Sequence, residues 1–302
     1  MTRLADLAEL VRAPAALSVP GDVLSGAAAA GALDRRTPAL AGASVLLYWA
    51  GMAANDWADR RLDAVERPER PIPSGRVRPS VALGVASGLT AAGLAVATAA
   101  GGRRAAAVAL PLAATIWGYD LRAKNTAAGP AVMAACRGLD VLLGASGGRV
   151  VRALPAALTI AAHTWTVTAL SRREVTGADR RLPGLTLAGT ALIAFTTPAR
   201  PTVLSGAPSS TGCVKRGPFL RLGELVPEVL AAGYAARYGR AQARVLADPS
   251  PARVRAAVGA GITGLPALQG SLTARAGARL LGLAVAGAAP LGRRLARLIS
   301  PT

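Results

Sequence analysis

Three aspartates occur close together after an apolar run, Asp56, Asp59 and Asp63, and Asn55 directly precedes them. If a helix continues through this stretch, the four side chains fall within a sector of roughly 100°, because successive helical residues turn by about 100°. Carboxylates held so close repel one another, and a divalent cation relieves that repulsion. Oxygen ligands with room left for water suit Mg²⁺, which commonly also contacts a substrate phosphate. The spacing therefore predicts a magnesium site at the end of a helix.

Basic residues follow the aspartates and allow two interpretations. In the first, the acids form a solvated loop end and pair with Arg60, Arg61 and Arg67. In the second, Arg67, Arg70 and Arg76 surround three prolines and a Ser-Gly turn, and this stiff loop directs guanidinium donors toward an anion held by the metal. The second interpretation is favoured, because the arginines and the turn-forming residues occur together.

Two ionisable residues, Arg137 and Asp140, interrupt the apolar run 129–147. Such groups are costly within a membrane unless they pair or line a wet cavity, and residues three apart share a helix face. We therefore expect Arg137 and Asp140 to form a pair that faces a cavity. His163, the single histidine, lies within another apolar run, where a structural or cavity-lining role is favoured over proton transfer.

The composition predicts what positions these residues. The 302 residues are 52% hydrophobic, with a mean hydropathy of +0.39, which is more apolar surface than a soluble domain of this size can bury. The runs 80–100, 104–119 and 152–170 approach the roughly 20 residues that one bilayer crossing needs. The net charge of +19 is scattered over short loops with few aromatic residues, so membrane lipids explain it better than nucleic acid.

The apolar runs predict an all-α fold, a polytopic transmembrane helix bundle of about nine helices around a central cavity, with residues 1–302 in a single domain. Small residues four apart, such as Gly84 and Gly88, are expected to let helices approach closely. Pro227 is expected to weaken or kink its helix. The last run is too long for one crossing and is expected to divide. The predicted helices are 15–33, 38–54, 80–100, 104–119, 129–147, 152–170, 183–199, 219–238 and 254–291.

The distribution of Lys and Arg among the loops predicts the orientation of the bundle. The even-numbered loops carry 17 of these residues and the odd-numbered loops carry ten. Loops rich in Lys and Arg stay in the cytoplasm, so the even-numbered loops and the N-terminus are expected there. The predicted location is a bacterial cell membrane, crossed several times, with the aspartates at its cytoplasmic side.

The segment 55-NDWADRRLDAVERPERPIPSGRV-77 resembles the first aspartate-rich motif of the UbiA-type intramembrane prenyltransferases, in which N-D-x-x-D-x-x-x-D precedes an R-P-I-P-S-G-R-like turn. The segment 119-YDLRAKNTAAGP-130 is similar to the family's Y-x-x-x-K-R-x-T, although Lys124 stands one place later and the Arg is absent. The second acidic motif, D-x-x-D-x-x-G-D, corresponds to 171-SRREVTGADRR-181, where Glu174 and Asp179 remain as acids.

The resemblance implies an enzyme that transfers a prenyl group from an isoprenyl diphosphate to a small-molecule acceptor with Mg²⁺. An alternative is a catalytically altered homologue that carries or binds a lipid ligand, because the second acidic motif departs from the family pattern. Arg137 and Asp140 join the implied substrate-binding set from the argument above. The implied metal ligands are Asp56, Asp59, Asp63, Glu174 and Asp179, and the implied substrate contacts are Lys124, Asn55, Arg67, Arg70 and Tyr119.

Overall fold

The computed structural model describes residues 3–13, 18–196 and 224–288. These residues form ten α-helices and no strand. The predicted all-α bundle is therefore confirmed. The helices are α1 Leu4–Leu10, α2 Pro20–Ala30, α3 Thr37–Glu66, α4 Pro79–Gly118, α5 Gly129–Ala145, α6 Val150–Ser171, α7 Arg181–Thr196, α8 Val226–Ala247, α9 Pro251–Arg275 and α10 Arg279–Ala288.

Within the described part of the chain, three segments are long and apolar enough to cross a membrane: Thr37–Glu66, Pro79–Ala123 and Val150–Ser171. The second contains a break at Gly102, where φ is +62°, a left-handed conformation that favours glycine. This break separates the two predicted helices 80–100 and 104–119. A π-helical turn, Tyr119–Ala123, follows α4 directly.

The C-terminal helices differ from prediction at one proline. Pro227 lies in the first turn of α8, where a missing N–H breaks no intrahelical bond, so the expected kink is wrong. The predicted run 254–291 divides as expected, because α9 ends at Arg275 and Gly277 turns the chain with φ +99°. Residues 15–17, 197–199, 219–223 and 289–291 of the predicted helices lie outside the described residues.

Close approach between helices occurs at other glycines than the predicted ones. A Cβ on Gly26 of α2 would lie 1.8 Å from the carbonyl oxygen of Val141, and one on Gly144 of α5 would lie 2.0 Å from that of Val23. α2 and α5 therefore touch backbone to backbone. Gly84 and Gly88 face open space, so their predicted packing role is wrong.

Four loops gather at one end of the bundle, which we call the site end: 67–78, 124–128, 172–180 and 248–250. Arg172 donates to the carbonyl oxygen of Thr126, and the N–H of Ala178 donates to that of Pro249 at 3.0 Å. Lys124 in turn reaches α3 through Asp59. The four loops predicted to lie on one side of the membrane therefore gather at one end of the bundle.

Candidate active site

α3 continues without a break to Glu66, as the spacing of the aspartates required. Arg70 Nη1 donates to Asp63 Oδ2 at 2.8 Å and to Asp56 Oδ1 at 3.4 Å, so one cationic nitrogen serves both carboxylates. Arg67 Nη1 lies 3.6 Å from Asp63 Oδ1. The turn after α3 therefore places Arg67 and Arg70 against the acids of that helix.

Asp59 points away from that pair and meets a different segment. Its Oδ2 atom lies 2.6 Å from Nζ of Lys124, just after the π-helical turn. Both side chains are mostly buried, with 22% and 13% of their surfaces exposed. The first acidic motif and the Lys124 segment, separate in sequence, therefore form one charged cluster.

The π-helical turn also brings in an acid that sequence reasoning did not assign. Asn55 Nδ2 donates to Asp120 Oδ1 at 3.1 Å, and Asp120 is 7% exposed. A Cβ on Gly51 would lie 3.1 Å from Asp120 Oδ2, so the helix α3 lies close to this turn. Irregular turns of this kind are frequent at functional sites.

A further cation, Arg12, reaches the cluster from the segment after α1. Its Nη2 atom donates to Asp56 Oδ1 at 2.6 Å. α1 is held by Arg76, whose guanidinium donates to Asp6 at 2.9 Å and to Glu9 at 2.6 Å. The backbone N–H of Arg3 and the guanidinium of Arg76 lower the pKa of Asp6. Arg76 therefore holds α1 against the loop 67–78. The expectation that Arg76 is directed toward an anion at the site is wrong.

A cavity of about 390 Å³ adjoins the charged cluster. Arg12, Asn55 and Asp120 line the part nearest the aspartates. Arg137, His163 and Thr164 line its wall on α5 and α6. The rest is mainly apolar, with Met52, Ile116, Met133, Val167, Ile262 and Leu265. The predicted central cavity therefore exists, and Asn55, Tyr119 and Arg137 of the predicted substrate contacts line it.

Arg137 and Asp140 do not pair with each other, which corrects the expectation from their spacing. Arg137 Nε lies 2.6 Å from Oδ2 of the fully buried Asp22 on α2. Asp140, also fully buried, accepts a hydrogen bond from Ser44. The carboxylate of Asp22 on α2 is closer to the Arg137 guanidinium than the carboxylate of Asp140 is. Of the expected pair, the described lining of the cavity contains Arg137 and not Asp140.

The two acids of the altered second motif lie on loop 172–180 and are not among the described residues that line the cavity. Glu174 is half-buried, and its carbonyl oxygen accepts from Arg255 at 2.8 Å. Burial raises the pKa of its carboxyl, and Arg255 opposes that rise. Asp179 is exposed and accepts from the N–H of Leu182 at 3.0 Å, which caps α7. The structure therefore does not join these acids to the three aspartates.

The chemistry of the cluster suits a divalent cation, because Asp56 and Asp63 already share one cationic nitrogen and carboxylate oxygens are the ligands that Mg²⁺ prefers. Across residues 3–13, 18–196 and 224–288, no three His, Cys, Asp or Glu side chains surround a common position for an ion. The aspartates hold protein cations instead. A metal at these aspartates would therefore have to displace Arg12, Arg70 and Lys124.

The sequence matches the model of the UbiA prenyltransferase family over residues 20–206, which contains all three aspartates, Lys124, Glu174 and Asp179. The chain belongs to the UbiA prenyltransferase family. It is an integral membrane protein.

Relatives within the UbiA family resemble parts of this chain. Digeranylgeranylglyceryl phosphate synthase of Methanothrix thermoacetophila is 44% identical over 80 residues, which are 26% of this chain and 30% of the relative. The bacteriochlorophyll synthase 33 kDa chain of Cereibacter sphaeroides is 46% identical over 54 residues, 18% of each protein. The alignments with the digeranylgeranylglyceryl phosphate synthases of three archaea span only about 30% of those relatives' length.

A solved structure of digeranylgeranylglyceryl phosphate synthase in membranes has the same fold as this UbiA family member. It superposes with a TM-score of 0.66 over 91% of this chain and 99% of that chain, at 16% identity. The fold is therefore shared along nearly the whole length, including helices outside the family match.

Arg12 and Asp120 are the site residues that sequence reasoning missed in this UbiA chain. Asp120 could have been recognised from the sequence, since it is an acid at the end of an apolar run. Arg12 could not, because it is 44 residues from its partner Asp56 and precedes the family match.

Proposed function

We propose that this chain is a prenyltransferase that moves an isoprenyl group from an isoprenyl diphosphate to a small-molecule acceptor with Mg²⁺. One observation carries the proposal: the aspartates of α3 and cations from three other segments meet beside a largely apolar cavity of about 390 Å³. A metal-bound diphosphate with an apolar chain needs this combination of charged groups and apolar space.

A change of ion-pair partners would prepare the site. Asp56, Asp59 and Asp63 would hold Mg²⁺, and the ion would supply partial neutralisation of the charge on the leaving diphosphate. Their present partners Arg12, Arg70 and Lys124 are placed to contact the diphosphate oxygens. Guanidinium and ammonium groups beside it lower the barrier further, because negative charge grows on the diphosphate as the carbon–oxygen bond breaks. Arg67, which lies 3.6 Å from Asp63 Oδ1, and Asn55, which lines the cavity, are close enough to the aspartates to contact the diphosphate as well.

The cavity wall then protects the allylic cation from water until the acceptor attacks. Met52, Ile116 and Met133 are suited to the isoprenyl chain, and Tyr119 also lines the cavity. Arg137 offers a fixed positive charge to a polar acceptor. Asp140 is buried, accepts a hydrogen bond from Ser44 and is not among the described residues that line the cavity, so we assign it no direct contact with substrate.

Glu174 and Asp179 are proposed ligands of a second ion. Support comes from their loop, which contacts the Lys124 segment through Arg172 and Thr126 at the site end. Glu174 is the stronger candidate, because Asp179 already caps α7. We further propose that the site end faces the cytoplasm, on the excess of Lys and Arg in its loops.

The test uses membranes that contain the full chain, Mg²⁺ and radiolabelled isoprenyl diphosphates of several chain lengths. We expect label in a new extractable product, identified by mass spectrometry, and at least a hundredfold loss in Asp59→Asn. Glu66→Gln is the matched control, since it makes the same chemical change on an exposed acid of α3. Turnover that survives in Asp59→Asn counts against the proposal.

A second candidate is a carrier of lipid ligands. It is favoured by the ion pairing of all three aspartates and by the separation of Glu174 and Asp179 from them. The same sample distinguishes the two, because a carrier binds isoprenyl diphosphate without turnover and moves it between vesicles.

A further inference from the structure

A second cavity of about 460 Å³ lies between α8 and α9, away from the aspartates. Arg237, Arg240 and Arg244 come from one face of α8, and Arg253 comes from the start of α9. Alanine and glycine residues form its floor. We call this cavity the arginine groove. Its described lining contains four arginines and no acid.

The charges in the groove are not neutralised by the described part of the protein. Arg237, Arg240 and Arg244 have no ion-pair partner among the described residues, and all three are exposed. Arg253 Nε lies 3.5 Å from Oδ2 of Asp248, a pair that is more than half exposed and therefore weak. The groove thus presents an excess of positive charge.

The groove runs along the bundle from one end toward its middle. α8 spans the bundle, because Ser271 donates to the carbonyl oxygen of Pro227 at one end and loop 248–250 meets loop 172–180 at the other. Arg237 is ten residues before the end of α8, or roughly 15 Å along a helix that rises about 1.5 Å per residue. α8 is not among the three described segments that are long and apolar enough to cross a membrane, and exposed arginines beside such segments are costly unless an anion or water accompanies them.

The arrangement of charge and apolar surface fits a lipid. Arg240, Arg244 and Arg253 cluster near the site end, where headgroups lie, whereas the small residues Gly233 and Ala260 continue toward the middle of the bundle. We propose that the arginine groove binds a bilayer phospholipid with an anionic headgroup. The phosphate contacts the guanidinium groups, and one acyl chain lies along the alanine and glycine floor.

Native mass spectrometry of the full, delipidated chain in neutral detergent tests this proposal with two probes of equal acyl chains, phosphatidylglycerol and phosphatidylcholine. We expect one phosphatidylglycerol to be retained about tenfold more strongly than phosphatidylcholine. Arg240→Gln combined with Arg244→Gln should abolish this preference. Arg173→Gln combined with Arg180→Gln should keep it, because these exposed arginines lie at the same end but outside the groove.

A second variant keeps every charge. Ala256→Leu fills the floor of the groove and should reduce retention of phosphatidylglycerol severalfold, which tests the site even if the arginine variant folds poorly. Equal retention of the two lipids, or equal loss in both arginine double variants, would overturn the proposal. Two competitors are added separately at the concentration of phosphatidylglycerol: geranylgeranyl diphosphate and a polyglutamate peptide. Displacement of phosphatidylglycerol by either one would also overturn the proposal and indicate a different occupant.

Discussion

Lys124 Nζ lies 2.6 Å from Asp59 Oδ2, and this ion pair joins the aspartate-bearing helix to the segment after α4. Removing one partner leaves a mostly buried charge without compensation, which costs on the order of 3 kcal/mol in folding free energy when burial is complete, and less here. We expect Asp59→Asn and Lys124→Gln each to lower thermal stability. The double variant should recover much of that loss and remain inactive. Unfolding midpoints and product formation, measured on the same samples, check both expectations.

On the proposed function, Arg12 competes with a metal for Asp56, because it donates to the Oδ1 atom of that carboxylate. Arg12→Gln should therefore strengthen the apparent affinity for Mg²⁺ and weaken that for the isoprenyl diphosphate, each by about tenfold. The Mg²⁺ and donor dependences of initial rates measure the two changes. Arg3→Gln is the control, because Arg3 engages Asp6 through its backbone. Parallel changes in both affinities would contradict this role for Arg12.

Gly51 and Gly42 both lie on α3, but we expect their substitution by alanine to have opposite effects on stability. An alanine Cβ at Gly51 would be 2.5 Å from Ile116 Cγ2 and close to Asp120, whereas Gly42 faces open space. We expect Gly51→Ala to lower activity and to cost about 1–3 kcal/mol in stability. Gly42→Ala should be neutral or stabilising by about 0.5–1 kcal/mol, because alanine favours helices. Thermal unfolding in detergent, with activity assays, compares the pair.

Acid should release α1 from the bundle. The pKa of Asp6 is lowered in the folded chain by the N–H of Arg3 and by Arg76, so its stabilising effect is complete above the unfolded pKa of about 3.9. That effect is lost as the pH falls through the lower, folded value. Once corrected for the intrinsic pH dependence of amide exchange, the protection of residues 4–10 should therefore remain high at pH 5 and fall below about pH 4.

Arg76→Gln should make α1 exchange quickly already at neutral pH, since Arg76 also binds Glu9. Arg78→Gln serves as the control, because Arg78 is exposed and neighbours the same turn. Slow exchange of residues 4–10 in Arg76→Gln at pH 7 would contradict the role of Arg76 in holding α1.

Local patterns in the sequence predicted most of the helices and the closeness of the first aspartates to the arginines that follow them. α3 continues to Glu66 because no proline or glycine interrupts residues 52–66, and Asp56, Asp63 and Arg70 are close in sequence. Pro227 was misjudged because a proline's effect depends on whether the helix has already begun.

Contacts between distant helices were not predictable in the same way. The spacing of Arg137 and Asp140 suggested a pair, but side-chain partners depend on which helix packs opposite, and α2 brings Asp22 to Arg137. Likewise, Gly26 and Gly144 look no different in sequence from Gly84, although only the first two contact another backbone.

Arg12 lies before residue 20, where the match to the family model begins. Two family members with identical acidic motifs can therefore differ in the counter-charge beside the same aspartate. Comparison of motifs alone would rank them as equals, although the charge beside that aspartate differs.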